Sequence, residues 1–161
     1  GSRAEAKRRG RDASVGAVAA EGEPAGLARC LGSAAAEDSA LILDLGCGEG
    51  CMGRHLARAL QRRILGIDFS ASALDLALAR RDLRQDFVLA DLYRLPLRKG
   101  TACAAFSWDA LYLVPDRTRA LREIARSLKP LAPLIFTAYI PPEKLAGALR
   151  ECAARFRLAD V

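Results

Sequence analysis

The chain has 161 residues, 52% of them hydrophobic, and a formal net charge of +6, which suits one domain with a real core. No apolar run reaches the roughly 18 residues that cross a bilayer and no signal-peptide core is present, so the expectation is a soluble protein with no membrane partner. The positive excess crowds into Arg3, Lys7, Arg8, Arg9 and Arg11 and reads as a solvated tail rather than a nucleic-acid arm.

Five scattered cysteines (30, 47, 51, 103 and 152) point to a reducing, cytoplasmic compartment rather than a disulfide framework. Cys47, Cys51 and His55 fall at four-residue steps, but Cys47 sits inside a glycine turn and no fourth ligand is near, so no metal is expected. The spacing Cys-x3-Cys-x2-Cys also fails, because position 54 is Arg.

In chain order, Gly1-Ser2 reads as a cleavage scar and residues 1–22 as a basic, flexible tail ahead of a domain spanning 23–161. A short helix is predicted from Pro24 to about Ala36, with Pro24 in its first turn. The run Leu41 to Leu45 predicts a strand, and 51–61 a helix. Ile64 to Ile67 predicts a second strand, and Ser70 or Ser72 caps a helix from about Ala71 to Arg84. Phe87 to Ala90 predicts a third strand, Leu92 to Gly100 a loop, and Ala102 to Trp108 a fourth strand. Asp116 caps an amphipathic helix over 117–129, with Ala120, Leu121, Ile124, Ala125 and Leu128 at helical spacing. A fifth strand follows over 134–139, then a helix from Pro141 to about Phe156 and the start of another strand at 157–161.

Short apolar strands alternating with helices predict an α/β fold: a three-layer α/β/α, doubly wound, Rossmann-like sheet, mostly parallel. Its ligand crevice lies at the C-terminal ends of the strands. Asp44, Asp68, Asp91 and Asp109 stand at or just beyond those ends. Folding does not require an acid at every strand end, so this clustering is the main functional signal.

The first strand runs into Asp44-x-Gly46-x-Gly48-x-Gly50 and then a helix. Glycines let the backbone approach a ligand closely, and the helix start offers free N–H groups. A competing parse, Gly48-x-Gly50-x-x-Gly53, spells a dinucleotide fingerprint. It begins two residues late, however, and Asp44 and Glu49 would crowd a pyrophosphate. The acid and glycine spacing resembles motif I of class I S-adenosylmethionine-dependent methyltransferases. From Leu41 to Phe136 the segments LILDLGCGEG, ILGIDFS, LADLYRLPL and WDALYLVPDRTRALREIARSLKP resemble the small-molecule, type 11-like group of that class.

The resemblance implies S-adenosylmethionine as cofactor, S-adenosylhomocysteine as product and a small-molecule methyl acceptor. Gly46, Cys47, Gly48 and Gly50 would surround the methionine portion, and Asp44 would attract its ammonium directly or through water. Asp68 would accept the ribose hydroxyls and Phe69 would lie against the adenine. Asp91 and Leu92 would meet the adenine edge, while Ser107 and Trp108 would face the sulfonium and the acceptor. Asp109 and Tyr112, at the crevice mouth, are the candidate catalytic helpers where an acceptor must lose a proton.

Three departures from the family pattern stand out. Ala102-Cys103 replaces a Phe-Asp pair entering the fourth strand. Leu131-Ala132 replaces a Gly-Gly pair after Pro130, so that turn is expected to differ or be strained. The family's C-terminal strand hairpin is missing, which implies either a chain cut short or an exposed sheet edge suited to homodimer formation. These departures keep open a non-catalytic binding domain. Nucleic-acid methylation ranks third, because only 6% of the chain is aromatic.

Overall fold

The computed structural model describes residues 24–34 and 40–137. The predicted tail over 1–22, the helix from Pro141 and the strand at 157–161 lie outside them. The elements run, in chain order, α1 (Pro24–Ala34), β1 (Leu41–Leu45), α2 (Cys51–Leu60), β2 (Arg63–Asp68), α3 (Ala71–Ala79), β3 (Gln85–Leu89), β4 (Ala104–Ser107), a 3-10 turn (Leu111–Leu113), α4 (Arg117–Ser127) and β5 (Leu134–Phe136), with a loop rather than a helix between β3 and β4. The sheet order is β3-β2-β1-β4-β5, and every described pairing is parallel. The chain leaves β1 toward β3 and then returns to build β4 on the other side. The fold is therefore the doubly wound one expected, with its switch point between β1 and β4.

Alternation along the strands splits the core into two layers. Ile42, Ile64 and Phe106 pack on one face beneath Leu27 and Leu31 of α1 and Leu56 and Ala57 of α2. Leu43, Leu45, Ile67, Ala105 and Leu134 pack on the other face against Ala120, Ile124 and Leu128. Each fully buried branched side chain contributes about 1.5–3 kcal/mol. Both faces are covered, which is why the strands read as nearly continuous apolar runs.

Several boundaries differ from the sequence expectation. The helix predicted to Arg84 stops at Ala79. Asp82 takes the Arg84 N–H on Oδ1 at 3.1 Å, while its own N–H goes to Gln85 Oε1 at 3.1 Å. This side-chain turn competes with helix continuation. β3 consequently begins at Gln85 and ends at Leu89, leaving Asp91 beyond the strand in a turn that its Oδ1 closes by accepting the Tyr93 N–H at 2.8 Å. β4 is shorter than predicted, because Ala102 makes only an isolated bridge to Leu128. Of the two proposed caps of α3, Ser70 is the one that accepts, from the Ala73 N–H at 3.3 Å. Asp116 caps α4 as expected, taking the Arg119 N–H at 3.0 Å.

The loop after β3 is tied to α4 by a network with no periodic signature. Arg126 holds both oxygens of Glu123 at 2.7 and 2.8 Å and donates to the Leu97 and Leu95 carbonyls at 2.8 and 3.2 Å. The guanidinium holds the Glu123 carboxyl below its ordinary range. Tyr93 adds a second tie: its hydroxyl accepts the Asp116 N–H at 2.9 Å, and Arg119 lies 4.8 Å over its ring.

The turn carrying Leu131-Ala132 is strained, as the sequence implies: Leu131 adopts φ 65. A left-handed conformation costs a side-chain-bearing residue about 1–2 kcal/mol, and glycine escapes that cost at some loss of chain entropy. Leu131 is 73% exposed, so little packing opposes the change. Leu131→Gly should raise stability by about 0.5–1 kcal/mol, read as a higher urea midpoint with an unchanged slope.

Candidate functional site

The turn between β1 and α2 is built by three glycines at positive φ, Gly46 (72), Gly48 (52) and Gly50 (69). Its backbone is docked on the end of β2: the Ile67 carbonyl accepts the Gly46 and Cys47 N–H groups at 2.8 and 3.1 Å. Gly46 has no room for a side chain, because a Cβ there would overlap Ala110. Gly48 differs, since a Cβ there meets nothing within 4 Å. The turn thus leaves open space beside Gly48.

Asp68, at the end of β2, is buried and accepts two backbone N–H groups, Gly48 on Oδ2 at 2.8 Å and Ser70 on Oδ1 at 2.9 Å. Each oxygen keeps a second lone pair for another donor. Next to it Phe69 is 84% exposed, an aromatic face left bare at the crevice rim.

Asp44 occupies a different environment on the same sheet edge. It is 2% exposed, and its Oδ2 is the one buried side-chain oxygen or nitrogen without a hydrogen-bond partner among the described residues. Burial pushes its carboxyl up to about 7; the Gly53 N–H opposes that shift and the Asp68 charge adds to it. The same burial, with Asp44 and Asp68 nearby, pushes the Cys47 thiol well above its ordinary range, so Cys47 stays protonated. Cys51 and His55 are both exposed on α2.

The third glycine of the dinucleotide parse has a separate physical reason. A Cβ at Gly53 would stand 2.6 Å from Asp44 Oδ2 and 3.0 Å from Gln85 Nε2. Gly53 is therefore small because a buried carboxyl lies beneath it.

The remaining candidates differ in burial and in partners. Trp108 is half-buried and packs on the α1–α2 layer. Ser107 is 1% exposed and its hydroxyl accepts the Leu111 N–H at 3.0 Å. That hydroxyl ties the start of the 3-10 turn to the end of β4. Asp109 is exposed at φ 54, its N–H donates to Thr137 Oγ1 at 2.6 Å, and its Oδ1 accepts from that hydroxyl at 3.1 Å. Tyr112 is half-buried, and its carbonyl takes Arg117 at 3.0 Å. Asp91 is exposed and Leu92 half-buried against the core.

Two participants were not anticipated. Gln85 is 2% exposed and donates to the Gly50 carbonyl at 3.0 Å, reaching from β3 to the glycine turn. The Phe87 ring fills the space that Cβ atoms at Gly50 and Gly66 would need. Nothing in the local pattern singled out Gln85, which stands between Arg84 and Asp86 at the start of β3.

A parallel doubly wound sheet with a glycine turn after β1 and a buried acid at the end of β2 defines a nucleotide-type crevice. Comparison with known proteins narrows the class. Residues 42–131 match the family model described as "Methyltransferase domain", more than half of the chain, and the chain belongs to that family. It is 31% identical over 97 residues to the malonyl-[acyl-carrier protein] O-methyltransferase of Yersinia pestis, covering 60% of this chain and 36% of that protein. It is 36% identical over 95 residues to the mitochondrial arginine-hydroxylase NDUFAF5 of Mus musculus, covering 59% of this chain and 27% of that one. Among solved structures, the [4+2]-cyclase SpnF superposes with a TM-score of 0.59 at 31% identity, covering 68% of this chain and 43% of that one. The chain thus spans between a quarter and a half of the length of these proteins.

Two outcomes test the buried end of the site. Gly53→Ala should destabilise by about 1–3 kcal/mol through the clash, although Ala in a helix is ordinarily favoured over Gly by about 1 kcal/mol. The loss should shrink in an Asp44→Ala background, as a double-mutant cycle would show. The second outcome follows from the raised carboxyl of Asp44. The folded state holds a proton on Asp44 that the unfolded chain releases near pH 3.8. Asp44 thus favours folding fully below that pH, and its contribution is lost as pH rises through about 7. Asp44→Asn should therefore gain stability relative to wild type between pH 4 and pH 8, by a few kcal/mol on the order expected from the shift.

Proposed function

We propose that the protein is an S-adenosylmethionine-dependent methyltransferase acting on an oxygen or nitrogen of a small molecule. The observation that carries the reading is the pairing of an open glycine turn at Gly48 with the Asp68 carboxylate fixed at its rim by two N–H groups. A phosphate would be poorly received there, beside Asp44, Asp68 and Glu49, whereas ribose hydroxyls and an ammonium suit carboxylates. Membership in the methyltransferase-domain family supports the same cofactor.

In this reading Gly46, Cys47, Gly48 and Gly50 cradle the amino-acid end of the cofactor. Asp68 accepts the ribose hydroxyls, Phe69 covers one adenine face, and Asp91 and Leu92 meet the adenine edge. The bound cofactor supplies an electrophilic methyl group for in-line displacement. The chain contributes position and dryness, with Trp108 forming one wall for the acceptor. Asp109 or Tyr112 takes the acceptor's proton where one must leave. A second reading, a domain that holds the cofactor without transferring methyl, draws support from relatives whose names describe a hydroxylase and a cyclase.

The test is calorimetric titration with S-adenosylhomocysteine, with NAD as a control. Wild type should bind the homocysteine compound at micromolar affinity and ignore NAD. Asp68→Ala should weaken binding by about 100-fold or more, the worth of two hydrogen bonds to a charged group. Thermal melting of the variant separates lost binding from lost fold. No binding by a wild-type protein that melts cooperatively would sink the cofactor reading. Binding without methyl transfer to any small acceptor would favour the second.

A further inference from the structure

Asp44 is an expensive residue to keep. A buried carboxylate with one oxygen unpartnered costs several kcal/mol unless a cation or a proton compensates it. The surroundings supply no cation among the described residues. β2 places Gly66 opposite Asp44 and contributes the Asp68 carboxylate, while β4 contributes Phe106. α2 lays Gly53 on it, and β3 brings the neutral Gln85 amide. α1 adds Leu27 and Leu31 to that layer. The glycine turn adds Cys47, held as a neutral thiol. The cations of α2 are engaged elsewhere: Arg54 donates to the Arg80 carbonyl at 3.1 Å and Arg58 pairs with Asp82 at 3.0 Å. His55 is exposed. The charge acting on Asp44 from within the described protein is the negative one of Asp68.

We propose that Asp44 is a proton-carrying positioning residue, which holds its proton in the free protein and gives it up to solvent when the ammonium of the cofactor's amino-acid end enters the glycine turn. The step balances simply: the Asp44 O–H bond breaks, the proton passes to buffer, and the resulting carboxylate is compensated by the incoming positive charge. The glycine turn begins two residues after Asp44 and leaves open space beside Gly48, so an ammonium seated there would act on the nearby Asp44 carboxyl through a low-dielectric interior. The consequence is selectivity. A ligand with the same adenine and ribose but no ammonium would leave the proton in place and lose this coupling. The inference rests on the cofactor reading above.

The experiment is calorimetry of S-adenosylhomocysteine binding at pH 6.5, where the ligand's amino group is fully protonated, repeated in buffers of low and high ionisation enthalpy. Released protons are taken up by buffer, so the observed enthalpy should become more negative as the buffer's ionisation enthalpy rises. The slope should correspond to roughly 0.5–1 proton per site. Affinity should tighten about fivefold between pH 6 and pH 7. Asp44→Asn should bind more weakly, with a buffer slope near zero and no gain in affinity over that range. Infrared difference spectra of the wild type provide a measurement independent of the variant's folding: ligand addition should remove a protonated-carboxyl band. Binding with no buffer dependence, or with that band unchanged, would overturn the inference and leave the cofactor reading standing. Absence of binding would overturn both.

Discussion

The structure depends on the docking of the glycine turn onto the last two residues of β2. The Ile67 carbonyl receives two successive N–H groups from the turn, and the Asp68 carboxylate receives a third while also accepting from Ser70. One acid therefore organises both the turn that follows β1 and the start of α3. Backbone donors that would otherwise be unpaired at a chain reversal are satisfied in this way, which is what allows the reversal to sit at the edge of a buried sheet. Ser70, placed by the same acid, then caps α3.

The close approach has a steric cost that the sequence meets with glycines and neighbouring side chains. Gly50 and Gly66 leave room for the Phe87 ring, and Gly46 leaves room for Ala110. Gln85 reaches under this layer from β3 to the Gly50 carbonyl while its Oε1 holds the Asp82 N–H. The third strand thus braces the turn from beneath as well as pairing with β2. A defect in β3 would reach the crevice through Phe87 and Gln85 without touching any residue of the turn.

What was legible in the sequence is what depends on local pattern. The β1 run, the glycine spacing, the acids at or just beyond the ends of the first four strands and the Asp116 cap are set by residues within a few positions of one another, and the doubly wound fold class followed from the order of strands and helices. The strained Leu131 turn was legible too, because a family pattern with glycine marks where a left-handed residue is needed. The parts that escaped depend on register between distant strands or on a side chain competing with the backbone. The helix predicted to Arg84 ended early because Asp82 captured a neighbouring N–H. The tie from the Leu111 N–H to the Ser107 hydroxyl likewise carries no periodic signal. Gln85 could not be linked to Gly50 without knowing that β3 lies beside β2, and Gly53 looked like part of a phosphate motif until the carboxyl beneath it was visible.

Asp44 and Asp68 carry the same side chain, end neighbouring parallel strands and are both buried, yet their environments diverge. Asp68 is satisfied by two backbone donors and stands at an open rim. Asp44 has an oxygen with no partner, under a helix whose glycine leaves it just enough room. An acid kept only for the fold would be expected to resemble Asp68, because satisfying a buried carboxylate is what lowers its cost. A sequence free to drop Asp44 could place Asn or Ser at the end of β1 and remove the desolvation penalty without losing a single hydrogen bond made by Oδ2. Pairs of acids pushed into opposite environments are a recurring way of dividing charge work within one site. In the proposed reading the satisfied carboxylate would serve hydroxyls at the rim, while the unsatisfied one would await a positive charge that none of the described residues provides.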